Sequence, residues 1–198
     1  MITLALETST PRGGVALFRD SELVFSDSFT ADRSHSAELF TVIERALAAG
    51  GAPDRIVVGL GPGSYAGVRI AISAAIGLSV ASGVELLGLP SVAALDEGEY
   101  LAIGDARRGS YYFAHIRDGE LAAGPTLLTR EELDTRLASS ENLPIFTSES
   151  LHLPRAQIKY PSPDRLGRLA IAGRAIHSRG TLEPLYLRDP YVTENSKF

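Results

Sequence analysis

Apolar and small residues alternate over Ile2 to Leu6, over Val15 to Phe18 and over Leu23 to Phe29. Turn residues separate the runs: Glu7-Thr-Ser-Thr-Pro-Arg-Gly-Gly14, then Asp20-Ser-Glu22. Three strands in a meander are predicted. The period then changes. Ala31 to Ser36 is polar, and Ser34 stands where an N-cap is expected. Leu39, Phe40, Ile43, Ala46 and Leu47 follow at helical spacing until Gly50-Gly51 stops them. His35 reads as a helix-start polar residue, since no partner of metal-site spacing accompanies it. Ile56-Val57-Val58 is a β-branched run and predicts a buried strand. Gly61-Pro-Gly-Ser-Tyr-Ala-Gly67 is a tight glycine-rich turn, and Val68 to Ser82 reads as a helix. Leu86 to Leu89 predicts a strand, and Pro90-Ser91 opens a short helix ending near Gly98, with Ser91 as its N-cap.

A second half begins at Tyr100. Leu101 to Ile103, Tyr111 to Ile116 and Leu121 to Leu128 read as strands, the last broken by Gly124-Pro125, with a hairpin signal at Asp118-Gly119. Thr129-Arg-Glu-Glu132 is a capping box, so a helix runs to about Ala138. Leu143 to Thr147 is a strand, and Ser148 to Pro161 is irregular. Ser162 and Pro163 cap and start a helix to about Ser178. Its Arg165, Arg168, Arg174 and Arg179 form a solvated basic face. Pro184 to Arg188 is an extended tail. The three-strand meander followed by a helix thus occurs twice. The order strand-strand-strand-helix-strand-helix-strand-helix is the ribonuclease H-like unit, which when doubled gives the actin-like architecture. The predicted fold is α/β and actin-like, with residues 1–98 as the first subdomain and 99–198 as a smaller, truncated second. The last helix could pack on either.

The helix from Val68 departs from an ordinary surface helix, which carries one apolar stripe and one charged face. No charged residue stands between Ile70 and Val84, and Ala71, Ser73, Ala74, Ala75, Gly77 and Ser79 place small side chains on every face. Burial on two sides is expected: one against its own sheet, the other against another helix, from this chain or a partner. The run is shorter than the ~18–20 apolar residues of a membrane span and holds several serines. The glycine loop before it could hold an anion on unpaired amides at the helix start. A P-loop would need Lys and Ser or Thr where Val68 and Arg69 stand. A dinucleotide fingerprint fits literally at Gly61, Gly63 and Ala66, but Glu85 precedes its strand instead of closing it. A serine nucleophile elbow fails, with Pro62 and Ala66 flanking Ser64. If the loop surrounds phosphates, Glu7, Ser9, Gly61, Gly63, Ser64, Gly67 and Arg69 are the residues to do it.

Composition adds boundaries. The 198 residues are 44 % hydrophobic and 22 % charged, as expected of a globular protein with its own core. There are no cysteines, which excludes disulfides and thiolate metal sites. The N-terminus has no basic region and meets Glu7 at once, so it reads as a strand, not a signal peptide, and a cytoplasmic protein is expected. A net charge of −5 argues against this chain alone gripping nucleic acid.

Several segments resemble the TsaB (YeaZ) family of bacterial tRNA threonylcarbamoyladenosine synthesis. They are Leu4-Ala-Leu-Glu-Thr-Ser9, Arg33-Ser-His35, Gly61-Pro-Gly-Ser-Tyr-Ala-Gly-Val-Arg-Ile70, Asp105-Ala-Arg-Arg-Gly109 with Tyr111-Tyr112, and Tyr186-Leu-Arg188. Ala66 replaces a usual Thr and Ser110 a usual Glu. The catalytic relative TsaD holds a metal with two histidines, whose positions correspond here to Ser91 and Leu95. The resemblance therefore implies a non-catalytic partner with no catalytic residues and no metal of its own, and adenine nucleotide, if any, at a complex interface. It implies a heterodimer with a TsaD-like protein through helices at about 35–49 and 67–82, using Leu39, Ile43, Leu47, Ile70, Ala71, Ala74, Ala75 and Leu78. A homodimer would form when the chain is alone. A TsaE-like ATPase is a further partner, with tRNA reached only through the complex. Ala74→Glu or Ala75→Glu is expected to break the pairing. An independent small actin-like kinase or ATPase is the alternative, and a homodimeric binding module unrelated to tRNA a third.

Overall fold

A computed structural model describes residues 1–30, 35–140, 142–177 and 182–187. The expected N-cap at Ser34, Arg33, the His35 side chain, Arg179 and Arg188 lie outside the described residues or side chains.

The opening meander is β1 (Ile2–Glu7), β2 (Arg12–Arg19) and β3 (Glu22–Thr30). Helix α1 (His35–Gly50), β4 (Arg55–Gly59), α2 (Tyr65–Ser82) and β5 (Glu85–Leu89) follow. β1 pairs antiparallel with β2 and parallel with β4, and β4 runs parallel to β5. Strand alternation sends successive side chains to opposite faces. Leu4, Leu6, Val15, Leu17, Ile56 and Val58 point to one core with α1 and α2. Ala5, Ala16, Phe18, Val57 and Leu87 point to another.

The second unit repeats the plan with β6 (Glu99–Asp105), β7 (Tyr111–Arg117), β8 (Glu120–Leu128), α3 (Arg130–Ala138), β9 (Ile145–Thr147) and β10 (Ala156–Ile158). Its sheet order, β10-β9-β6-β7-β8, matches β5-β4-β1-β2-β3 of the first unit. An irregular segment joins β9 to β10 where α2 stands in the first unit. Both hydrogen bonds of the capping box at Thr129 and Glu132 are made.

Four local expectations are corrected. Ser91 is not an N-cap: Ser91–Ala94 form a single 3-10 turn after Pro90, and the Ser91 hydroxyl accepts from Gly61 N–H. β10 lies within the segment expected to be irregular. The final helix, α4 (Pro163–Ile171), stops well before Ser178, because Gly173 turns the chain at φ 78°. Residues 176–177 then form β11, antiparallel to β5 at the edge of the first sheet. The three described arginines of the expected basic face are partnered: Arg165 pairs with Glu97 at 2.9 Å, Arg174 pairs with Glu120, and Arg168 covers the Phe18 ring.

α4 lies on the first sheet, its Leu166, Leu169 and Ala170 closing the core opposite α1 and α2. The first unit is thus three layers: helices, a six-stranded sheet, helix. Among the contacts between the units, two stand out. Tyr100 of β6 donates to Val92 O at 2.8 Å, and burial pushes its phenol up to about 12. The segment Leu182–Leu187 buries Leu182 in the first core, packs the partly buried Leu185 beside it, and sets the partly buried Leu187 against the core between the units.

α2 is long and apolar enough to cross a bilayer by length and composition, yet its inner flank is built into the first core.

Candidate functional site: the glycine loop and the outer face of α2

The loop from Gly61 to Gly67 is fastened to the turn after β1. Ser64 N–H donates to Ser9 O at 2.7 Å, Thr8 Oγ1 donates to Gly67 O at 2.8 Å, and Gly61 N–H donates to Ser91 Oγ at 3.0 Å. The glycines permit this approach: a Cβ on Gly63 would stand 2.1 Å from Ser9 O, and one on Gly67 2.1 Å from Thr8 O. Ser64 caps α2 by accepting from Gly67 N–H at 3.1 Å, which starts the helix at Tyr65 instead of Val68. Much of the donor set that an anion would need is thereby used within the chain.

Glu7 does not face the loop's solvent side. It is fully buried beside Gly59 and Ser91, with Oε1 accepting from Ser9 N–H at 2.6 Å and Oε2 closing no hydrogen bond. Burial pushes its pKa up, against the pull of Ser9, Ser91 and Thr8 hydrogen-bonding groups. A carboxyl enclosed in this way cannot reach a phosphate-bound cation in the cleft. The expected phosphate set therefore separates. Ser9, Gly63 and Ser64 border a cleft of about 720 Å³ between the two units, whereas Glu7 is internal and Arg69 lies outside the cleft wall.

Arg69 is turned onto aromatic rings. Its guanidinium carbon sits 3.6 Å from the Tyr65 ring centroid, and Nη2 donates to the Tyr186 hydroxyl at 2.5 Å. Tyr65 and Tyr186 are both exposed.

The expected interface residues divide in the same way. Leu39, Ile43, Ala71, Ala74 and Ala75 are buried in the chain's own core, and Leu47, Ile70 and Leu78 are partly buried beside it. The expectation that Ala74→Glu or Ala75→Glu tests a pairing is thus corrected: either carboxylate would be buried in the subunit itself. The outward stripe of α2 is Ala66, Ser73, Gly77, Val80 and Ala81, flanked by Ile70 and Ile76. Val80 is 84 % exposed, and nothing lies within 4 Å of where a Gly77 Cβ would be. Phe40 on α1, packed beside α2, is 54 % exposed. Sequence reasoning missed Phe40, Val80, Tyr65 and Tyr186. Bulky residues occur all round α2, so periodicity could not say which flank meets the sheet.

Ser91 and Leu95, the two positions that the family resemblance set against a metal-holding pair, are committed to packing. Ser91 is fully buried, and Leu95 packs with Tyr100 in the core between the units. Among the described residues no group of three or more His, Asp or Glu is placed to hold a metal.

The paired meanders, the shared sheet order and the cleft between them define an actin-like ATPase fold with a shortened second half. A family model described as TsaD, tRNA N6-adenosine threonylcarbamoyltransferase, matches residues 29–161. A solved YeaZ from Pseudomonas aeruginosa superposes with a TM-score of 0.71 at 25 % identity, covering 94 % of this chain and 99 % of that one. An uncharacterized protein of Mycobacterium tuberculosis is 30 % identical over 201 residues, 94 % of this chain and 92 % of its own. The Escherichia coli tRNA threonylcarbamoyladenosine biosynthesis protein TsaB is 29 % identical over 132 residues, 61 % of this chain and 57 % of its own. The chain belongs to the TsaB (YeaZ) family.

Proposed function

We propose that this chain is a non-catalytic subunit of tRNA threonylcarbamoyladenosine synthesis that docks the outer face of α1 and α2 against a TsaD-like transferase. The observation that carries the proposal is the exposed, charge-free stripe from Ser73 to Ala81 on α2, with Phe40 also exposed on the neighbouring helix α1. Apolar area is worth about 25 cal/mol per Å² on burial, so an exposed, charge-free stripe of this kind favours a covering partner. A non-catalytic role is supported by the use of Ser91, Leu95 and the glycine loop in packing. The family's curated E. coli member is named for the same pathway. The transferase would bring tRNA to the complex, in keeping with the net charge of −5 on this chain. A TsaE-like ATPase would complete the assembly in the cytoplasm, any adenine nucleotide would sit at a complex interface, and the chain alone would pair with itself through the same face.

The test is a pull-down from the source cell, with nucleoside analysis of its tRNA after deletion of the gene. Capture of a TsaD-like protein, and loss of the modified nucleoside restored by the parent chain, are expected. ATP hydrolysis by the purified chain, with no transferase captured and the nucleoside unchanged, would favour the small-ATPase alternative instead.

A further inference from the structure

Arg69 is the only charged residue on α2. It lies at the start of the outward stripe, one turn before Ser73, yet it makes no ion pair among the described residues. Its guanidinium is held by stacking on Tyr65 and by the single hydrogen bond to Tyr186. A guanidinium carries five N–H donors in a planar fork. The Tyr186 contact is made by Nη2, which leaves Nη1 and its neighbours for a further acceptor. Tyr186 comes from the segment that ties both cores together, so its hydroxyl is a fixed point and not a loose tail. Tyrosine and arginine held rigid at the edge of an apolar face are the residue types that dominate binding energy at protein interfaces.

We infer that Arg69, oriented by Tyr65 and Tyr186, is the charged anchor of the docking face and receives a carboxylate from a helix of the transferase partner. This rests on the proposed docking role of α2. The small residues beyond Arg69 let a partner helix approach closely, and a lone cation at one end of an otherwise uncharged stripe would fix that helix's register and direction. Tyr186 is a positioning residue: its hydroxyl holds the fork so that it need not be ordered on binding. The C-terminal segment thereby becomes part of the interface, although it is remote in sequence from α2.

The test measures affinity of the full chain for its TsaD-like partner at low and high salt, by calorimetry, with melting temperature as a control for folding. Four variants are compared: Arg69→Gln, Arg69→Lys, Tyr186→Phe and Ser73→Arg. Arg69→Gln is expected to weaken binding about tenfold or more at low salt and to flatten the salt dependence. Arg69→Lys, a point charge without the fork, should recover part of the loss. Tyr186→Phe should weaken binding by a smaller factor while leaving the salt slope in place. Ser73→Arg should abolish binding by blocking the stripe. If Ser73→Arg abolishes binding but Arg69→Gln and Tyr186→Phe match the parent, the anchor is refuted and the docking face stands. If Ser73→Arg also matches the parent, the docking face itself is wrong. If the Arg69→Gln loss appears only in self-association of the chain, the occupant is a second copy and the transferase assignment is overturned.

Discussion

Replacing Gly67 by alanine separates a packing role for the glycine loop from a phosphate-holding one. The new Cβ would stand 2.1 Å from Thr8 O, where ordinary contact is 3.4–4 Å. The neighbouring atom is backbone and cannot rotate away, so the start of α2 or the turn after β1 must move by roughly 1 Å. That motion strains the Thr8–Gly67 hydrogen bond of 2.8 Å and the Ser64–Ser9 bond of 2.7 Å. A hydrogen bond is worth about 0.5–1.5 kcal/mol net, and a buried group left unpaired costs about 1–3 kcal/mol, giving roughly 2–4 kcal/mol of destabilisation. At about 2–4 °C per kcal/mol for a chain of this length, the melting temperature should fall by roughly 5–15 °C. Thermal unfolding followed by circular dichroism reads this directly. Titration of the parent with ATP and pyrophosphate supplies the counter-test. A variant that melts with the parent would refute the packing role. Tight pyrophosphate binding by the parent, lost in the variant at unchanged stability, would return the loop to phosphate chemistry.

Three further outcomes are expected. Ala75→Glu places a carboxylate at a fully buried site and should cost several kcal/mol, so the purified variant shows no cooperative melt even as a monomer. Gly77→Ala adds a methyl group in open space and should raise stability by roughly 1 kcal/mol through helix propensity, readable as a higher denaturant midpoint. Glu7 has its pKa raised from 4.5, so the folded chain retains a proton that the unfolded chain has lost. The stability contributed by the neutral carboxyl is whole below that ordinary value and fades as pH rises through the raised one. Glu7→Gln should remove this decline, which sets in above the ordinary carboxylate value, in denaturant titrations, and an unchanged pH slope would contradict the burial reading.

The strands of the first sheet were legible because their two faces carry different residues, as Leu4 and Leu6 against Ala5 illustrate. The capping chemistry at Thr129 and Ser162 also acts locally and could be read directly. What escaped the sequence depends on distant neighbours. Ser91 has the form of an N-cap, but its hydroxyl serves Gly61, thirty residues away. Glu7 looks like the polar end of a strand, and only the distant Gly59 and Ser91, brought beside it by the fold, make it internal. The stripe on α2 was legible in kind, since its lack of charge is a property of composition, but not in detail, since Ile72 faces the core and Ile76 the flank. The short β10 carries too few residues for any pattern, and β11 follows a glycine turn inside an apparently helical run.

The most direct measurement is the affinity of the TsaD-like partner for Gly77→Arg beside the parent chain. Position 77 is open on the subunit, so this variant should fold with undiminished stability and yet fail to bind. A folded Gly77→Arg protein that binds the transferase as tightly as the parent would contradict the docking face on α2.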